Sequence, residues 1–272
     1  MLGDPIAHSL SPVLHRAGYA ALDLDWEYDA HRVPAGGLAA FLDGLSLSGL
    51  AGPWRGLSLT MPLKREAVAL VDRLTDRARL TGAANTIVLG DDGARVGDNT
   101  DLPGAIAAIR ERTTMALASA VILGGGATAT SIGLALVELG VTSVRLLVRD
   151  ESRAAETVAV LRAHPAAPDV SVGLLDGSGD LGGDVLVSTI PSQAQTDAIV
   201  RRCADVPVVF DAAYEPWPTP LARAADDRVL VSGLDLLVHQ AVLQFELFTG
   251  QSAPLEAMRG AGRAAIAGRL RP

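Results

Sequence analysis

Residues 121–136 read VILGGGATATSIGLAL, and this stretch decides the fold. It matches the pattern G-x-G-x-x-A, with Gly124, Gly126 and Ala129 at the key positions. In such a pattern the first glycine permits a tight turn and the second lets the backbone approach a pyrophosphate. The small third residue allows a helix to pack closely on a strand. Free N–H groups at the start of that helix attract phosphates. Glycines also punctuate ordinary loops, so the motif is weak alone. Here an apolar strand at 120–123 precedes it and a helical pattern to about residue 139 follows, which is the context the motif requires.

Outward from this turn, apolar runs of strand length alternate with helical stretches, the mark of βα units and a mostly parallel sheet. Strands are expected at 144–148, 170–174, 185–187, 206–210 and 229–231, with a helix through residue 161. A helix over 102–110 leads into this unit. The first hundred residues form a smaller αβ unit. A helix opens at Ser11 with Pro12 at its first position, placing Val13, Leu14, Ala17 and Ala21 on one face. Residues 26–33 and 55–59 read as extended and 37–45 as helical. Pro62 can start a helix carrying Lys64 and Val68, and residues 85–89 and 95–97 flank a hairpin turn at Asp91-Asp92-Gly93. After Gly233 the pattern is helical, with Pro254 between two helices able to pack back on the first unit. The expected fold is α/β with two domains. Residues 1–101 plus 235–272 form one, and a Rossmann-type dinucleotide-binding domain spans 102–234.

The strand after the glycine turn ends in Leu147-Val148-Arg149-Asp150-Glu151-Ser152-Arg153. An acid there accepts from the ribose of NAD, whereas arginine pairs with the 2′-phosphate of NADP. Arg149 and Arg153 favour NADP over NAD, with Asp150 as the residue that would serve NAD. Two solvated arginines at a helix start are the plainer alternative.

Composition narrows the classes further. The net charge of −8 argues against nucleic acid, which rewards clustered positive charge. No apolar run reaches the roughly 18 uncharged residues of a membrane helix, and the opening residues lack the pattern of a signal peptide. A single cysteine, Cys203, excludes an internal disulfide or a cysteine-based metal site. The expectation is a cytoplasmic protein, monomer or homodimer, that acts on a small molecule without a metal.

Four segments of the first hundred residues are richer in polar groups than their strand and loop context needs. These hold Ser9 and Ser11, Thr60 and Lys64, Asn85, and Asn99 with Asp101. Together they suit a polyhydroxylated carboxylic acid. A Lys–Asp pair can move the proton of a hydroxyl as hydride leaves its carbon. Each has a plainer reading alone: Ser11 a helix cap, Asn99 and Asp101 turn or cap residues, Lys64 a surface lysine.

The segments GDPIAHSLSP, LTMPLK, GAANT and GDNTD resemble, in order and spacing, those of the shikimate dehydrogenases. So do the glycine turn, STIP at 188–191, DAAY at 211–214 and SGLDLLVHQA at 232–241. The resemblance implies reversible, NADP-dependent reduction of 3-dehydroshikimate to shikimate in chorismate and aromatic amino acid biosynthesis. It implies Lys64 and Asp101 as the catalytic pair and Ser9 and Ser11 at the substrate carboxylate. Thr60, Asn85, Asp101 and Gln240 would meet ring hydroxyls, with Tyr214 closing the site. For Tyr214 the plain reading is a packed strand-end aromatic. For Gln240 it is a helix-surface position, like its neighbour Gln244. Gly124, Gly126, Ala127, Arg149 and Arg153 would bind NADP, and Thr189, Ile190 and Gly233 would lie near its ends.

Three departures stand out. Val148 replaces a frequent Asn, and Ser58 stands where many members have Asn. The chain opens several residues later than its relatives, so the first strand is short or the true start lies upstream. The competing readings are an NAD-dependent quinate/shikimate dehydrogenase and a non-catalytic ligand sensor on the same fold.

Overall fold

The computed structural model describes residues 1–45 and 54–269. The chain divides into two compact units, one of Met1–Thr100 with Gln240–Pro272 and one of Asp101–His239.

The first unit begins with β1 (Leu2–Gly3), α1 (Ser11–Ala21), β2 (His31–Arg32), α2 (Leu38–Leu45) and β3 (Gly56–Ser58). It continues with α3 (Leu63–Glu66), β4 (Arg73–Leu74), α4 (Asp76–Thr81), β5 (Thr86–Leu89) and β6 (Arg95–Asp98). Strands β3-β5-β6-β4 form one sheet, β1 and β2 pair in parallel, and a parallel bridge joins Leu2 to Leu59. The β5–β6 hairpin pairs Thr86 with Asp98 and Leu89 with Arg95. Leu2, Leu38, Leu42, Leu57, Leu63 and Ile87 fill the core beneath.

Helix α1 turns its buried face differently from the face read in sequence. Leu14, His15, Gly18 and Tyr19 are inside, and Val13 is exposed. The side chain of Ser11 does not cap the helix: Leu10 holds the cap position, and Ser11 is the first helical residue. The extended stretch expected over 26–33 is a strand only at β2. The short β4 and α4 carry no periodic signal long enough to read.

The second unit opens with α5 (Asp101–Arg112), β7 (Ser119–Leu123), α6 (Ala127–Glu138), β8 (Ser143–Val148), α7 (Ala155–Arg162) and β9 (Asp169–Leu174). Then come β10 (Val185–Ser188), α8 (Asp197–Arg202), β11 (Val208–Asp211), α9 (Pro220–Arg223) and β12 (Val229–Ser232). Six strands in the order β12-β11-β10-β7-β8-β9, all parallel, make the doubly wound sheet of dinucleotide-binding folds. Every residue of β10 and β11 is buried, as central parallel strands covered on both faces require. Helix α10 (Gly233–Thr249) starts in this unit and continues from Gln240 in the first, which α11 (Leu255–Arg269) completes. Among the described residues, no helix is long and apolar enough to cross a membrane.

Candidate active site

In the first unit, backbone hydrogen bonds gather the polar segments at one end of the small sheet. Thr60 N donates to Leu2 O (2.9 Å) and Asp4 N to Met61 O (3.0 Å), so the segment after β3 lies against the segment after β1. That second segment carries Ser9, whose Oγ accepts from Ser11 N at 3.3 Å. Leu63 N donates to Thr60 O, starting α3 with Lys64 in its first turn. The Lys64 carbonyl accepts from Ala84 N (2.7 Å), and Asn85 O accepts from Leu59 N (2.7 Å). Thr60, Lys64 and Asn85 are thereby tied to one strand end. Ser11 is buried, while Ser9, Thr60 and Lys64 are half-buried.

The direction of the Asn85 side chain follows from its partners. Its Oδ1 accepts from Thr100 N (2.8 Å) and Thr86 Oγ1 (2.9 Å). A backbone N–H only donates, so the carboxamide oxygen must face it, and Nδ2 points the other way. Nδ2 donates to Thr100 Oγ1 (2.9 Å) and Gln240 Oε1 (3.2 Å). Gln240 and Gln244 are both interior, 6% and 1% exposed, so neither occupies the plain helix-surface position of a sequence reading. Asn99 is structural: its Nδ2 braces Thr81 Oγ1 and Ala83 O, each at 3.0 Å. Asp98, to which the sequence reading of GDNTD gave no role, is 1% exposed and receives both Arg77 and Thr75. Burial works to raise its pKa, but these donors outweigh it and hold the carboxylate below its usual range.

In the second unit, Asp101 is the first residue of α5 and is buried. Gly124 has φ +114°, the left-handed region, and a Cβ there would lie 2.2 Å from Thr189 Oγ1. That threonine bonds back to Leu123 O through both its N and its Oγ1, placing Thr189 and half-buried Ile190 beside the turn. Gly126 caps α6, whose first residue is Ala127, and a Cβ on Gly126 would meet nothing within 4 Å. Ala129 is fully buried.

Past β8, Arg149 and Arg153 are exposed. Asp150 between them uses Oδ1 to accept from Ser152 N (3.0 Å) and Ser152 Oγ (2.8 Å), capping a short turn. These bonds lower its pKa. Open space over Gly126, the start of α6 beyond it and two exposed guanidinium groups fit a dinucleotide with a 2′-phosphate.

Tyr214 is half-buried, three residues beyond β11. The backbone leading to it is held by Ala212 N to Ser188 O (2.9 Å) and Ala213 N to Asp211 Oδ1 (3.2 Å). Burial pushes up the pKa of the Asp211 carboxyl, which Gln195 and Thr219 also bond. Gly233 lies against the same segment, where a Cβ would sit 2.4 Å from Ala212 O. Among the described residues no cluster of potential metal ligands occurs.

Comparison with known proteins identifies the family. A profile described as the shikimate dehydrogenase substrate binding domain matches residues 1–87. Another, the shikimate 5′-dehydrogenase C-terminal domain, matches residues 233–261. The shikimate dehydrogenase (NADP(+)) of Methanothermobacter thermautotrophicus is 33% identical, over 96% of this chain and 94% of its own length. The crystal structure of Mycobacterium tuberculosis shikimate dehydrogenase superposes with a TM-score of 0.80 at 38% identity, covering 97% of each chain. Shikimate 5-dehydrogenase from Thermus thermophilus, solved with NADP(H) and shikimate, gives 0.82 at 27% identity, again over 97% of each chain. By sequence over nearly its whole length and by fold, the chain belongs to the shikimate dehydrogenase family.

Proposed function

We propose that this chain catalyses the reversible, NADP-dependent reduction of 3-dehydroshikimate to shikimate in the cytoplasm, a step of chorismate and aromatic amino acid biosynthesis. The observation that carries this reading is the buried Asn85–Thr100–Gln240 cluster, at the sheet end that also holds Thr60 and Lys64. Directed neutral donors and acceptors beside one cation suit a ring bearing several hydroxyls and a carboxylate. The first unit is read as the substrate domain and the second as the cofactor domain.

Bound at the glycine turn, NADPH would supply the hydride for the carbonyl carbon. Lys64 delivers the proton to the carbonyl oxygen and takes it back in the oxidation direction. Asp101 orients the Lys64 ammonium. Ser9 and Ser11 hold the substrate carboxylate, and Tyr214 closes the site near it. Thr60, Asn85, Asp101 and Gln240 bind ring hydroxyls. Gly124, Gly126 and Ala127 admit the pyrophosphate, and Arg149 and Arg153 pair with the 2′-phosphate. Thr189, Ile190 and Gly233 line the cofactor's ends.

The test is the initial rate of oxidation of shikimate and of quinate, each with NADP and with NAD. Preference for shikimate with NADP is expected. Preference for quinate with NAD would favour the rival dehydrogenase, and no turnover with any pair would favour the sensor. Lys64→Ala should lower kcat by about 10²- to 10⁴-fold while keeping most substrate affinity. Arg149→Ala and Arg153→Ala should each raise KM for NADP by about tenfold or more and leave KM for NAD unchanged.

A further inference from the structure

Gln244 lies one helical turn beyond Gln240 on α10. Its Nε2 donates to Asn85 O (3.1 Å) and to Thr86 Oγ1 (2.9 Å). Its Oε1 accepts from Ser58 Oγ at 2.7 Å, and Ser58 Oγ accepts from the Tyr28 hydroxyl at 2.6 Å. All three residues are buried.

The direction of this chain is forced from one end. The Asn85 carbonyl only accepts, so the amide nitrogen of Gln244 must face it and the amide oxygen must face Ser58. Ser58 spends its one proton on that oxygen, which leaves a lone pair for the phenol. Burial holds the Tyr28 hydroxyl protonated, so it remains a donor. His15 stacks on the Tyr28 ring, centroids 4.2 Å apart and planes 10° from parallel, which restrains the phenol's position.

At the far end, Thr86 Oγ1 accepts a hydrogen bond from Gln244 Nε2 and donates its own to Asn85 Oδ1. The Asn85 carboxamide then turns Nδ2 to Gln240 Oε1, so the opposite side of the Gln240 amide is its NH2 group. One continuous, directed relay therefore connects residues 28, 58, 244, 86, 85 and 240.

We propose that Tyr28, Ser58 and Gln244 are positioning residues. Backbone groups of Thr100 and Asn85 fix which way the Asn85 and Gln244 amides face. The relay holds the Asn85 and Gln240 carboxamides firmly in that orientation, so that a ring hydroxyl of the substrate meets the NH2 group of Gln240 in a fixed place. This rests on the reading of Asn85 and Gln240 as substrate ligands. Ser58 is the junction: its single proton goes to Gln244 Oε1 and a lone pair takes the Tyr28 hydroxyl, which ties the amide to the phenol. An alanine there leaves Gln244 Oε1 without its donor.

The experiment measures KM for shikimate, KM for NADP and kcat in the full chain, with thermal unfolding alongside. Ser58→Ala and Gln244→Met should each raise KM for shikimate about three- to tenfold, the scale of one lost hydrogen bond. KM for NADP and kcat should stay within about twofold. Because both variants cut one path, the double variant should be no worse than Gln244→Met alone. Ser58→Thr, which keeps the hydroxyl, should restore KM for shikimate.

Tyr28→Phe removes one oxygen and no carbon, and should act in the same direction if the other variants fold poorly. Asn85→Ala separates the two levels of the argument. If it raises KM for shikimate while the relay variants change only the unfolding temperature, the relay has no positioning role. If Asn85→Ala leaves that KM unchanged, the assignment of the substrate site falls and the relay's role falls with it.

Discussion

His15 is fully buried in the first unit, stacked on Tyr28 and beside Gln244. Burial lowers its pKa from 6.5 to about 3, so the ring is neutral in the folded protein at neutral pH. The unfolded chain binds a proton near pH 6.5 that the folded state refuses until near pH 3. Stability is therefore full above the unfolded value and is lost as pH falls through that window, by on the order of 5 kcal/mol in all. Asp98 adds to the same trend, since its lowered pKa means acid removes a folded-state advantage. His15→Phe keeps a ring stacked on Tyr28 and removes the proton site. Urea midpoints measured from neutral pH to about pH 4 should fall less steeply in the variant than in the parent. Equal slopes would mean that His15 takes its proton without unfolding. Nothing in the sequence marks this histidine, because a lone imidazole on a helix has no local pattern that reports burial.

At the scale of the element, the glycine turn between β7 and α6 separates two roles that share one motif. Gly124 is required by the protein itself, with its left-handed φ and no room for a Cβ beside Thr189. Gly126 has open space around it, so its need lies in what approaches the backbone from outside. Gly124→Ala should cost about 1–3 kcal/mol of stability as well as cofactor affinity. Gly126→Ala should unfold at the parent's temperature yet bind NADPH more weakly. A fluorescence titration with NADPH beside a thermal melt distinguishes the two, and normal NADPH affinity in Gly126→Ala would remove the proposed pyrophosphate contact. The elements legible in sequence are the long or strongly apolar ones: β7, α6, β8 and the central β10 and β11. The two-residue strand β4 escapes, since two residues cannot show a period, and β2 is read only as part of a longer extended stretch. The buried face of α1 is misread from periodicity because Gly18 and His15, not large apolar residues, lie on it, with Gly18 facing Phe245 and Met258.

At the scale of the whole molecule, the first unit is closed by residues from opposite ends of the chain. A Cβ on Gly18 would lie 2.8 Å from Phe245 Cε2, and one on Gly56 would lie 2.2 Å from Phe248 Cε1. Both aromatic rings seat on α1 and β3 only because those positions lack side chains. Gly18→Val should destabilise the chain by about 1–3 kcal/mol through overpacking. NADPH affinity should remain, because the glycine turn and both arginines lie in the other unit. Urea denaturation together with an NADPH titration at low denaturant checks this, and a parent-like midpoint would mean that Phe245 has another place to go. One continuous helix, α10, passes from the second unit to the first at Gln240, so no change of composition announces the crossing.

The α/β class, the dinucleotide turn and the polar segments of the family site are all legible in the amino-acid sequence. Each is a local pattern, in which neighbouring residues specify a backbone shape or a chemical type. Which polar side chains are buried together, and which way their hydrogen bonds run, is settled in the folded molecule alone. Gln244 reads as a helix surface and Ser58 as a small substitution, yet they meet across 186 positions and share one hydrogen-bond chain with Tyr28. Donor and acceptor direction depends on every partner in the network at once, and those partners are adjacent only after the chain has folded.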